Sequence, residues 1–147
     1  MYSLSFSEVA VTAQQDLFQL EATTVPIVIH RVTLSQSTDV GDASAENLSI
    51  LIREVTDTVT DDGGEQILDR NATAAFTGAC AINETTELTT GAATLHSEAW
   101  NILNSFIYLP TPEERIHVDI GNAVVVNLNT TPADSITMSG TIVFEQL

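Results

Sequence analysis

The sequence predicts an all-β protein: one antiparallel β-sandwich of the jelly-roll type, with residues 1–147 forming a single domain. Three observations predict it. Twenty threonines and abundant valine favour pleated surfaces, because β-branched side chains lose rotamer freedom in helices and pack well between strands. Apolar residues recur with period two in short runs, separated by turns rich in Gly, Pro and Asp. The chain is also about one domain long, and no linker, repeat or low-complexity stretch divides it.

The elements follow in order. In residues 3–12, Leu4 and Phe6 alternate with Ser3, Ser5 and Ser7. The phase breaks near Glu8, where Val9 and Val11 take over, so a bulge or a second short strand is expected. Leu17, Phe18 and Leu20 form the next strand, and Val25, held extended by Pro26, marks its end. Residues 27–36 predict a long strand with Val28, His30, Val32 and Leu34 on one face and Ile27, Ile29, Arg31 and Thr33 on the other. Residues 37–43 are loop by composition. Leu48, Ile50 and Ile52 alternate with Ser49, Leu51 and Arg53 in a strand ending near Val55, and an acidic turn region fills 57–65.

The stretch 73–82 is small and apolar and reads as a strand across a tight interface, with a connection at 85–90. Context favours a strand over a short helix (97–103) in residues 94–103. Residues 106–109 lead into Pro110-Thr111-Pro112, expected to be a rigid extended turn. Residues 115–120 alternate with Ile116, Val118 and Ile120 on one side, and Gly121-Asn122 turns the chain. Residues 123–128 are so continuously apolar that cover on both faces is expected. After a loop at 130–134, Ile136, Met138, Gly140, Ile142 and Phe144 alternate with Thr137, Ser139, Thr141 and Val143. In all, about eight to ten strands are expected at this spacing.

Charge excludes some functions. The chain has twenty acidic residues, four arginines and no lysine, for a net charge of −16. Nucleic-acid binding releases counterions through Lys and Arg contacts. Only Arg31, Arg53, Arg70 and Arg115 are available, well separated, so neither nucleic acid nor an anionic membrane is an expected partner. The N-terminus has no basic region and no long apolar stretch, and no window nears 18 apolar residues, so neither signal peptide nor transmembrane helix is expected. One cysteine, Cys80, excludes an internal disulfide framework, and its small apolar neighbours suit a buried thiol.

Candidate chemistry is sparse. His30, His96 and His117 fall in separate strands without the His-x-His pairing that a metal-binding jelly roll uses, and read as separate histidines rather than a metal set. Asp39, Asp42 and Glu46 flank one loop and Asp57, Asp61, Asp62 and Glu65 another. Either set could offer oxygens to Ca²⁺, but neither has EF-hand spacing, and solvated turns are the plainer reading. A glycosidase carboxylate pair would want an aromatic-lined groove, and the chain has one Trp and two Tyr. There is no Gly-x-Ser-x-Gly elbow and no phosphate loop. Asn-x-Ser/Thr triplets at Asn47, Asn71, Asn83 and Asn129 are expected by chance in so Thr-rich a chain. No catalytic, metal or cofactor residue is assigned, and no cofactor is expected.

Several segments together carry a family likeness. They are Tyr108-Leu-Pro-Thr-Pro-Glu-Glu-Arg115, Gly121, Val124-Val-Val-Asn-Leu128, Pro132-Ala-Asp-Ser-Ile-Thr-Met-Ser-Gly-Thr141 and Phe144-Glu145. Tyr2-Ser-Leu-Ser-Phe-Ser7, Ile29-His-Arg-Val32 and Gln36-Ser37 with Asp39 fit the same pattern, while residues 55–93 lie outside it. The chain thereby resembles small jelly-roll head-decoration (cement) proteins of tailed bacteriophages. The resemblance implies a non-enzymatic homotrimer on the capsid exterior of a virion, bound to the major capsid protein and stabilising the shell. Tyr2, Leu4, Phe6, Arg31, Arg53 and Arg115 are the expected partner contacts, with Ala74-Ala75-Phe76 and the strand 123–128 as surplus apolar surface. Exchange of the N-terminal strand between subunits is a further expectation. The alternatives are a receptor- or glycan-binding head on a tail fibre or baseplate, and a small cupin-like enzyme.

Overall fold

The computed structural model describes residues 1–38, 46–68 and 74–147. It is an antiparallel sandwich of two sheets. Its strands are β1 (Tyr2–Val11), β2 (Gln15–Glu21), β3 (Ile27–Gln36), β4 (Asn47–Val55), β5 (Gln66–Ile67), β6 (Ala79–Glu84), β7 (Ala93–Asn101), β8 (Phe106–Tyr108), β9 (His117–Val118), β10 (Ala123–Leu128) and β11 (Ile136–Gln146). Sheet A has the order β5-β1-β11-β3-β8, with β9 also paired to β3; sheet B has the order β6-β2-β10-β4-β7. Setting aside β5, β6 and β9, the two four-strand sheets are β1-β11-β3-β8 and β2-β10-β4-β7. The chain changes sheet at every step from β1 to β4, which is jelly-roll connectivity.

Period-two patterning places the core. Leu4, Phe6, Leu48, Ile50, Ile52, Ile136, Met138, Ile142 and Phe144 all face the space between the sheets and are buried. Each such side chain contributes roughly 1.5–3 kcal/mol by leaving water. The Phe6 and Phe18 rings meet across the sandwich at 5.2 Å. Gly140 has to be glycine, because a Cβ there would lie 2.8 Å from both Leu34 Cδ2 and Phe6 Cε1. The expected bulge in β1 falls between Phe6 and Val9, with Glu8 at φ 54° and its amide donating to Ser139 Oγ at 3.0 Å.

Four local expectations change. The alternation in β3 is interrupted: Val143 pairs with Arg31 but Phe144 pairs with Ile29, leaving His30 as the extra residue of a bulge. The bulge flips the phase, so Ile27 and Ile29 join Val32 and Leu34 in the core while His30 leaves it, its side chain still 13% exposed beside Glu145. Pro112 opens a single 3-10 turn, Pro112–Glu114, in place of an extended turn. Ile120 is 55% exposed, because β9 ends at Val118 and the chain is already turning at Gly121, where φ is +85°. The small apolar stretch becomes a strand only from Ala79; ahead of it Phe76 folds onto Tyr2 and Phe144, with ring centroids 5.6 and 5.0 Å apart.

β10 is buried along its whole length, covered on both faces as expected. Val124, Val126 and Leu128 belong to the central core. Ala123 and Val125 form a second cluster on the outer face of sheet B with Val55, Val59, Ala79 and Ala81, and Leu88 packs against it. Residues 56–65 and 85–91 of the chain itself supply that outer cover.

Candidate functional site

The acidic residues of the loops act first as fasteners. Asp57 Oδ2 accepts the Thr90 amide at 2.7 Å, Asp61 Oδ1 accepts the Cys80 amide at 3.0 Å, and Glu21 Oε2 accepts the Val59 amide at 2.7 Å. Each carboxylate thus satisfies a backbone donor that no strand ladder serves, the accounting that buried peptide groups demand. The hydroxyl and amide of Thr90 hold the Asp57 carboxyl below the usual carboxylate range. Glu65 accepts from the Cys80 thiol at 3.4 Å. Among the described residues no three His, Cys, Asp or Glu side chains gather as metal ligands would. Of the other acidic loop, Asp39 and Asp42 lie outside the described residues, and Glu46 accepts the Ala133 amide at 2.7 Å.

A buried polar cluster, not expected from the sequence, fixes the second loop. Asp16 is fully buried on β2 and accepts the Leu88 amide (2.8 Å), Asn127 Nδ2 (2.8 Å) and Gln19 Nε2 (2.8 Å). Arg53 Nη2 stands 3.5 Å from Asp16 Oδ1, while Arg53 Nε has no hydrogen-bond partner among the described residues. Burial pushes the Asp16 carboxyl above its usual range, against the pull of these donors and of Arg53. Asn127 Nδ2 also reaches Glu87 Oε1 at 2.6 Å. The cluster ties the 85–91 segment to sheet B.

The expected partner contacts fall in different environments. Tyr2, Leu4 and Phe6 are core residues of β1, so they present no side chain to a partner while β1 stays paired with β11. The strand Ala123–Leu128 is likewise covered by the chain itself and Phe76 is partly buried against the core, while Ala74 and Ala75 are exposed. Arg53 is held against Asp16. Arg115 is half-buried, with its Nε lacking a partner among the described residues. Arg31 alone of the six is exposed. The histidines are dispersed: His30 pairs with Glu145 at 2.8 Å, His96 pairs with Glu98 at 3.3 Å, and His117 lies exposed on β9.

Open surfaces among the described residues include two of note. On the outer face of sheet A, pairing aligns Ser5, Thr141, Thr33 and Ile107 in one row across four strands, with Ser139 beside Ser35 in the next. A shallow depression there is lined by Ser, Thr, Gly and apolar residues without one charge. The hydroxyls of Ser5 and Thr141 bond each other at 3.0 Å. The second surface is the edge where β7 and β8 end their sheets. Leu95, Ile107 and Leu109 are 46%, 59% and 69% exposed there, around the His96 ring, which lies tilted against Tyr108 with centroids 4.8 Å apart. Sequence reading missed this edge, because which strand ends a sheet depends on sheet order. Ile107, flanked by the inward-facing Phe106 and Tyr108, was its one local signal.

Compared with known proteins, the chain matches no family model, no curated protein and no solved structure.

Proposed function

We propose that this chain is a non-enzymatic structural protein of a tailed-phage virion. It decorates the outside of the capsid, binds the major capsid protein as a homotrimer and stabilises the shell. The observation that supports this reading is the outer face of sheet A. On a chain of net charge −16, its central rows carry only hydroxyl and apolar side chains. The cores of protein interfaces are depleted of charge, so a depression lined without charge suits contact with another protein. The rigid sandwich behind it costs little ordering on binding. Such a protein works by affinity alone: it stabilises the assembled shell because it binds that state and no other.

Imaging of intact particles of the phage that encodes the chain tests the proposal. The expected result is extra density on the capsid exterior at threefold or quasi-threefold positions. Density at the tail tip would overturn it in favour of a receptor-binding head. Particles stripped of the protein should lose heat resistance and regain it on add-back. Unchanged resistance would remove the stabilising mechanism. Thr33→Glu, which puts a charge in the middle of the hydroxyl rows, should weaken add-back.

A further inference from the structure

The edges of the two sheets are not alike. β5 is two residues long, β8 has three residues ahead of Leu109 and Pro110, and β6 has its first three residues buried. β7 ends sheet B with nine residues, of which Ala93, Thr94, Leu95, Ser97, Glu98 and Ala99 are exposed. An open edge offers unpaired N–H and C=O groups to any other strand, and proteins blunt such edges with Lys, Pro, bulges, inward-pointing charges or short length. β7 has neither Lys nor Pro and is long; its bulge falls at Leu95, between the pairs Ile52–His96 and Arg53–Thr94, so the stretch from His96 onward stays regular, and Glu98 is its one acidic residue in a chain that holds twenty. The exposed apolar side chains Leu95, Ile107 and Leu109 flank it.

We propose that a second copy of this chain pairs edge to edge with β7, antiparallel about a twofold axis at Ser97. The register follows from symmetry. Opposite residues in an antiparallel pair share a face of the sheet, and faces alternate along the strand, so the axis has to pass through a residue and not between two. An axis at Glu98 sets Glu98 against its own copy, and an axis at His96 does the same for His96. An axis at Ser97 sets each His96 opposite Glu98 of the second copy, within the stretch that the bulge at Leu95 leaves regular. This register gives two complementary polar pairs and no like-charge contact. His96 and Glu98 already share a face, bonded at 3.3 Å, and it is the face toward sheet A, since His96 packs on Tyr108. The twofold therefore keeps both copies of sheet A on one side and brings the exposed Ile107 and Leu109 toward their mates. The low charge of β7 is what lets two strongly acidic chains meet along this edge. The contact is twofold, independent of the threefold association proposed above, and stands whether or not the chain decorates a capsid.

The test is the mass of the purified chain in solution, followed with substitutions on the exposed edge. Wild type is expected at an even multiple of 15.8 kDa, two copies alone or six if the threefold association also forms. His96→Glu puts like charges opposite each other, and is expected to raise the dissociation constant at least about tenfold and halve the mass. The double variant His96→Glu, Glu98→His exchanges the two roles and is expected to restore it. Ser97→Cys is expected to form an intermolecular disulfide on mild oxidation, while Ser5→Cys, exposed on the outer face of sheet A, does so far more slowly. Circular dichroism checks that each variant is folded. A monomer or trimer, a dimer that His96→Glu leaves intact, a double variant that stays dissociated, or cross-linking at Ser97→Cys no faster than at Ser5→Cys would each overturn the proposal. None of these results depends on where the protein lies in a particle, so the two proposals fail separately.

Discussion

The two outer faces of the sandwich are finished in opposite ways. Sheet B is covered by its own chain: Val59 and Leu88 lie over Val55, Ala123 and Val125, and Glu21, Asp57, Asp61 and Asp16 fasten the covering segments through backbone amides. No described residue covers the central rows of sheet A, where Ser5, Thr141 and Thr33 hydroxyls bond to one another or to backbone. The difference shows that the acidic composition is not an even coating. Carboxylates gather where loops bring unpaired N–H donors, and none lines the depression on sheet A. The covered face should therefore be sensitive to mutation in the free chain, and the bare face insensitive until a partner is present.

Cys80 gives the largest expected contrast. Burial, then the neighbouring Glu65 and Asp61 carboxylates, push its thiol from 9.0 up to about 12. Because the thiolate is the reactive form, three units imply thiol labelling at mildly alkaline pH about a thousandfold slower than for a free cysteine. Labelling should reach the free rate only when the 56–65 cover is lost, for instance in denaturant. Rapid labelling of the folded chain would mean that sheet B is not covered in solution.

Asp16→Ala comes next. It removes the acceptor of three hydrogen bonds and leaves Arg53 buried without a counter-charge, a loss of roughly 3–5 kcal/mol by chemical denaturation. Asp16 and Asp57 should also oppose each other in pH dependence. The folded state holds the Asp16 proton more tightly than the unfolded chain does. Its contribution to stability is therefore present at low pH and is lost as pH rises from the usual carboxylate range through the raised value. Asp57 is shifted down, so its contribution is present at neutral pH and is lost as pH falls below that range. Stability curves of Asp16→Asn and Asp57→Asn against wild type should diverge in opposite senses on the acid side.

Much of this fold is legible in the sequence wherever alternation is unambiguous. Leu48, Ile50 and Ile52 could face only one way, and the unbroken apolar run 123–128 announced a strand with two covered faces. Legibility fails where residues on both phases are apolar. Ile27-Val28-Ile29 satisfies either face, so nothing local marks the bulge at His30. It fails again for the acids, whose partners lie far along the chain: Asp16 meets Leu88, and Glu21 meets Val59. Clustered in sequence, Asp57, Asp61 and Glu65 resemble a Ca²⁺ loop, whereas in space each serves a different donor. The contact expected at Tyr2, Leu4 and Phe6 rested on their apolar alternation, and the same alternation is what seats them in the core.

A paired substitution sharpens the contrast at its small end. Val59→Ala deletes two methyl groups from the covered cluster and is expected to cost about 1.5–3 kcal/mol. Thr141→Val on the bare face removes only the hydroxyl bond to Ser5, which is solvent-exposed, and is expected to change the stability of the free chain by no more than about 0.5 kcal/mol. Denaturant midpoints measured side by side give both values. The Thr141 result then separates two origins of the hydroxyl rows. If they serve the fold alone, Thr141→Val has no further consequence. If they serve contact, the variant keeps its stability but binds stripped particles more weakly than wild type, because a hydroxyl matched to a partner group has been replaced by a methyl that leaves that group unpaired.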